Sequence, residues 1–169
     1  MNLYLLRHGI AVEPGTHNLA TDSERPLTPE GESKLRQVAI AMRTLKLSFD
    51  LILSSPYLRA RQTAELVAAT LRASRKLELT DTLTPHGRPE ELVDSLLERD
   101  PVPEDVLLVG HEPYLSELIS LLVTGNTGSA FVLKKAGLCK LSTESLAAGR
   151  CAALEWLLTP KQMQRMAES

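Results

Sequence analysis

Three continuous apolar runs stand far apart in this chain: Leu3 to Leu6, Leu51 to Leu53 and Val106 to Val109. Runs that short, without polar alternation and followed at once by turn-forming residues, predict strands buried on both faces, over residues 2–7, 50–54 and 105–110. Between them the apolar period becomes helical. Leu35, Val38, Ala39, Met42 and Leu45 repeat at helical spacing behind Thr28-Pro29-Glu30, which supplies a hydroxyl cap, a proline at the first helical position and an acid in the first turn. A second stripe, Ala60, Ala64, Val67, Ala68 and Leu71, predicts a helix over residues 57–73. Pro89-Glu90-Glu91 starts a third helix through Leu92, Val93, Leu96 and Leu97, and Pro113 a fourth through Leu118 and Leu122. Residues 76–88 read as a short strand and a loop, and two or three further strands are expected near 130–134, 137–142 and 151–158. Residues 10–27 form a polar loop long enough to suggest a function of its own. With no internal repeat or linker, the alternation predicts one domain over residues 1–169, a three-layer αβα unit with a mostly parallel sheet.

Composition narrows the possibilities. The 169 residues carry 43% apolar and 24% charged side chains and a net charge of -2, so there is no basic field for nucleic acid or a membrane surface, and any anion site must be local. No apolar stretch reaches the roughly 20 residues that span a bilayer. The first motif follows Met1 too closely for a secretory leader, which sets a cytoplasmic location as the expectation. Cys139 and Cys151 lack metal-ligand or redox spacing and read as packed thiols.

The chemistry gathers where the three runs end. The first opens onto Arg7-His8-Gly9, the second onto Ser54-Ser55-Pro56 and the third onto Gly110-His111-Glu112-Pro113. In parallel α/β sheets ligands bind beyond the carboxyl ends of the strands, so residues distant in sequence can share one site there. Arg7 offers a fork suited to phosphate oxygens, His8 an imidazole beside it, and Gly9 room for backbone and ligand to approach. Arg59 stands near a helix N-terminus, where backbone NH groups already favour an anion. Arg61 lies about 200° around that helix at roughly 100° per residue and reads as solvated.

Together these motifs resemble the histidine phosphatase superfamily: Arg-His-Gly after the first strand, an arginine in a Ser-x-x-x-Arg-Ala-x-x-Thr context (Ser55, Arg59, Ala60, Thr63), and a second histidine after a late strand. The short length, Arg25-Pro26-Leu27-Thr28 and Gly-His-Glu-Pro look most like the SixA-type phosphohistidine phosphatases, over residues 3 to about 140. The resemblance implies a phosphoglycerate mutase-like fold and a phosphatase working without metal or other cofactor. His8 is then the nucleophile that forms a phosphohistidyl intermediate, with Arg7, Arg59 and His111 holding the phosphoryl oxygens and Gly9, Arg25 and Glu112 contributing to substrate binding. The implied substrate is a histidine-phosphorylated phosphotransfer domain or kinase, and inorganic phosphate the product.

Leaving-group chemistry agrees with that substrate. An alkoxide, comparable with water at a pKa of about 15.7, needs a general acid to depart, whereas phosphohistidine releases neutral imidazole, whose conjugate acid has a pKa near 6.5. The mutases of the superfamily supply a glutamate between the second and third motifs; here that stretch offers only Asp81 and His86. Glu112 is the other candidate acid, and otherwise a helix cap. Lys134 and Lys135 read as solvated or edge-strand charges, and His17, His86 and Trp156 as loop or core residues. A small-molecule phosphomonoesterase and a non-catalytic phosphate-binding module remain open alternatives.

Overall fold

The computed structural model describes residues 1–15, 21–128 and 131–168. Six strands, β1 (Asn2–Arg7), β2 (Leu51–Ser54), β3 (Leu77–Leu79), β4 (Asp105–Gly110), β5 (Leu138–Ser142) and β6 (Ala153–Leu158), form one sheet in the order β3-β2-β4-β1-β5-β6. The first four in that order are parallel, while β5 runs antiparallel to both β1 and β6. The mostly parallel sheet matches the expectation.

Alternate residues of the central strands feed two separate cores. Leu3, Leu5, Leu51, Leu53, Val106 and Leu108 face α3 (Pro89–Leu97) and α4 (Tyr114–Thr124). Tyr4, Leu6, Ile52, Leu107 and Val109 face α1 (Pro29–Thr44), α2 (Leu58–Thr70) and α5 (Pro160–Ala167). Covering both faces is why these strands read as unbroken apolar runs. Trp156, on β6, packs into the second core beside Tyr4, and Cys139 is buried with its thiol pushed up to about 12 by desolvation.

Local chemistry explains the helix ends. The Thr28 hydroxyl accepts the Gly31 N–H at 3.0 Å with Pro29 in the first turn, as the sequence predicts. Helix α5 goes beyond the elements expected above, although Thr159-Pro160-Lys161-Gln162 carries a capping box that closes in the structure.

One strand is corrected. Residues 131–134 are not in a strand, and residues 129 and 130 lie outside the described residues. Both edges of β1 are already paired, with β4 and β5, so this apolar segment cannot pair with the strand it lies beside. It serves the end of β1 instead: Leu133 O accepts from Arg7 Nη1 at 3.0 Å, and the Ala136 N–H reaches the carbonyls of Arg7 and His8, each at 3.1 Å.

Register positions the site. Arg7 pairs with Gly110 and Ser54 with Val109, so His8, Ser55 and His111 leave the same edge of the sheet within one residue of each other. The ladder continues one step further, His8 N–H to Gly110 O and Ser55 N–H to Val109 O, both at 3.0 Å.

Candidate active site

His8 is 6% exposed, Arg59 3% and His111 1%, and the two imidazoles stand 5.2 Å apart between centroids. His8 Nδ1 lies 2.7 Å from Gly9 O; a carbonyl only accepts, so Nδ1 carries the proton and the neutral ring bares its Nε2 lone pair. Arg59 Nε faces that lone pair at 3.3 Å. His111 Nε2 lies 2.8 Å from Ser55 Oγ, which itself accepts the Tyr57 N–H at 3.3 Å. A Ser55 hydroxyl that donates to Nε2 leaves the N–H of the neutral His111 on Nδ1, which is buried and has no hydrogen-bond partner. Tyr57 walls this side, edge-on to His111 at 5.2 Å and under the Arg59 guanidinium at 5.4 Å.

The Ser-x-x-x-Arg-Ala-x-x-Thr spacing acquires a physical reading. Ser55 holds His111 and Arg59 faces His8, while Thr63, one turn on, accepts the Gly9 N–H at 3.1 Å and donates to Arg59 O at 2.7 Å. Gln62 accepts the Leu27 N–H at 2.8 Å and ties down the end of the first loop. Thr63 stood in the motif without a role, and Gln62 and Tyr57 carried none in the sequence, although their spacing around Arg59 was there to be read.

Asp22 is the larger omission. Its backbone oxygen accepts from Arg59 Nη1 at 2.7 Å, its Oδ2 from Arg59 Nη2 at 2.9 Å and its Oδ1 from Arg25 Nε at 2.7 Å. Arg25 therefore joins the cluster through Asp22, and its Nη1 is spent on Val12 O at 2.8 Å. A single acid in a polar loop gives no sequence signal of this kind.

The site and its frame match known proteins. Residues 3–86 fit the model of the Histidine phosphatase superfamily (branch 1). Phosphohistidine phosphatase SixA of Escherichia coli is 33% identical over 133 residues, 78% of this chain and 80% of that protein. The chain belongs to the histidine phosphatase superfamily. An uncharacterized Picosynechococcus protein is 39% identical over 142 residues, 83% of this chain and 84% of that one. Among solved structures, the protein histidine phosphatase SixA complexed with tungstate superposes with a TM-score of 0.80 at 29% identity, covering 95% of this chain and 98% of that one. A phosphoglycerate mutase from Bacillus anthracis shares the fold, with a TM-score of 0.67 at 16% identity over 100% of this chain and 97% of its own.

In this member of the histidine phosphatase superfamily, electrostatics keep both imidazoles neutral. Burial is the largest influence on His8, opposed by its bond to Gly9 and reinforced by His111, Arg59 and Arg7, and its pKa is pushed down to about 3. The permanent charges of Arg59 and Arg7 thus oppose protonation, with burial ahead of them. His111 is likewise pushed down to about 3, by burial and then Arg59. Asp22 moves below the usual carboxylate range: burial raises it, but the bonds and charges of Arg59 and Arg25 outweigh that. Glu112 moves up because burial outweighs Ser116 and Arg7, and its Oε1 is buried without a hydrogen-bond partner.

The remaining candidates separate from the cluster. Gly9 permits a close approach to α1 and the loop: a Cβ there would stand 3.2 Å from Leu27 Cδ2 and 3.6 Å from Gly31 O. Asp81 and His86 are exposed and have no hydrogen bond or ion pair to the cluster, and Arg61 pairs on the surface with Glu65. His17 lies outside the described residues. Among the described residues no three of His, Cys, Asp and Glu group as metal ligands, and no helix is long and apolar enough to cross a membrane.

Proposed function

We propose that this protein is a phosphohistidine phosphatase acting on a histidine-phosphorylated phosphotransfer domain or kinase, with His8 as nucleophile. The observation that carries this reading is the pinned tautomer of His8, whose bare Nε2 faces the Arg59 guanidinium in a buried site. Nε2 attacks phosphorus, the phosphorus–nitrogen bond of the substrate breaks, and the electron pair leaves on the substrate imidazole, already protonated at its other nitrogen. Arg7, Arg59 and the Nδ1–H of His111 hold the oxygens of the moving phosphoryl group. Water then attacks the phosphohistidyl enzyme, releasing inorganic phosphate and restoring His8. Arginine charge supplies the electrostatic stabilisation, so the reaction is metal-independent. The E. coli relative, named a phosphohistidine phosphatase, supports the substrate class.

The upward shift of Glu112 favours one second reading, a phosphomonoesterase in which this carboxyl protonates the departing alkoxide. Both readings meet one experiment, in which wild type and His8→Ala are given a phosphorylated phosphotransfer domain and para-nitrophenyl phosphate, with and without EDTA. Release from the phosphodomain that requires His8, leaves an acid-labile label on wild type and resists EDTA is the expected result. Release mainly from the ester transfers the assignment to the phosphomonoesterase, and release from neither leaves a binding module.

A further inference from the structure

Beside the catalytic strand end lies a cationic basin of about 400 Å³, lined by Arg7, Lys34, Lys134 and Lys135 around Ile10, Gly31, Ala136 and Pro160. It adjoins the candidate active site directly. Arg7 precedes His8, and the Ala136 N–H reaches the carbonyls of both residues at 3.1 Å. Lys34 has a carboxylate partner in Glu30, but among the described residues Lys134 and Lys135 have no ion pair or side-chain hydrogen bond, and no acid lines the basin. In a chain of net charge -2, four cations around one hollow are a local feature and not a reflection of composition.

We propose that this basin receives an acidic surface of the phosphoprotein whose phosphohistidine enters the neighbouring site. The inference rests on the phosphohistidine phosphatase reading and names what such a substrate carries beside its phosphorylated side chain. The kind of cation points to a protein face. Lys134 and Lys135 are compact point charges on flexible stems, which suit several carboxylates spread over a surface, whereas a lone phosphate is better held by the fixed forks of arginines already in the catalytic cluster. Ile10, Ala136 and Pro160 give the lysine stems and the partner an apolar floor. Acidic side chains flanking the phosphohistidine would then be steered in against the net charge of the enzyme as a whole.

The test compares wild type with Lys134→Glu/Lys135→Glu and Lys134→Ala/Lys135→Ala on two substrates. One is a phosphotransfer domain with acidic residues around its phosphohistidine; the other is phosphoramidate, too small to span both sites. The expected result is a fall in kcat/KM on the phosphodomain on the order of 10-fold for the Glu variant and smaller for the Ala variant, with weakened salt dependence and an unchanged phosphoramidate rate. Unchanged kcat/KM on the phosphodomain overturns the docking role while leaving the phosphatase reading intact. Equal losses on both substrates also overturn it, because the lysines then support the catalytic cluster. A wild type that hydrolyses phosphoramidate and not the phosphodomain overturns the protein-substrate reading and the basin's role together.

Discussion

Asp22 grips the outer edge of Arg59 with its backbone oxygen on Nη1 and its carboxylate on Nη2, while Arg59 Nε points at His8 Nε2. In a guanidinium, Nε–H and one Nη2–H share a second edge, so anchoring the outer edge leaves that inner edge facing His8, where the proposed mechanism needs donors for two phosphoryl oxygens. Asp22 is thus a positioning residue. Asp22→Ala is expected to lower kcat on the order of 10- to 100-fold, as an arginine displaced by an ångström would. Asp22→Asn, which keeps an acceptor for Nη2, should restore much of that loss. Steady-state kinetics of both variants is the check, and equal losses would show that the negative charge and not the anchoring matters.

The two buried imidazoles set the pH behaviour. Their folded pKa values, near 3, lie below the unfolded value of about 6.5, so between these limits the unfolded chain binds more protons and stability falls as pH drops from 6.5 towards 3. Because His8 stays unprotonated through this range, the acid limb of kcat/KM should show no imidazole titration near 6.5. Titration of the ring signals of His8 and His111 by NMR, alongside urea unfolding at pH 7 and 5, tests both statements. A ring that titrates near 6.5 would remove the basis for either.

Ser55 is fully buried and fixes the ring of His111. Ser55→Ala leaves Nε2 buried without its partner, which is expected to destabilise the protein by about 1–3 kcal/mol. It also frees the His111 tautomer, so activity should fall beyond what the lost stability explains at a temperature where the variant is still folded. Denaturant midpoints and kcat measured on the same preparation separate the two effects.

Gly31 is required by packing. A Cβ there would come within 2.1 Å of Ile10 O, backbone that cannot swing aside, so Gly31→Ala must push α1 away from the segment that follows His8-Gly9. Such overpacking costs about 1–3 kcal/mol or more despite the better helix propensity of alanine, and urea unfolding should register it. A stabilised variant would disprove the close approach.

Much of the frame was legible because it is written in local terms. Burial on both faces left apolar runs at β1, β2 and β4, and proline and hydroxyl caps marked the helix starts, even at Thr159-Pro160, where the signal for α5 was present and unread. The segment near Leu133 misled because an apolar run records burial but not pairing, and both edges of β1 were taken. Asp22 was opaque for a different reason, and Arg25 was reached only through the family resemblance: a loop side chain has no period, and only the path of the backbone decides what it meets.

By itself, then, the sequence determined which strand ends bear His8, Arg59 and His111, and hence a phosphate-directed site in an α/β frame. Local propensity and binary patterning are properties of neighbouring residues. The tertiary structure alone decided that Arg7 pairs with Gly110, which sets the two imidazoles 5.2 Å apart, that Asp22 spans Arg59 and Arg25, and that Lys134 and Lys135 share a hollow with Arg7. Strand register and loop path depend on contacts between residues tens of positions apart, and no local pattern in the chain encodes those distances.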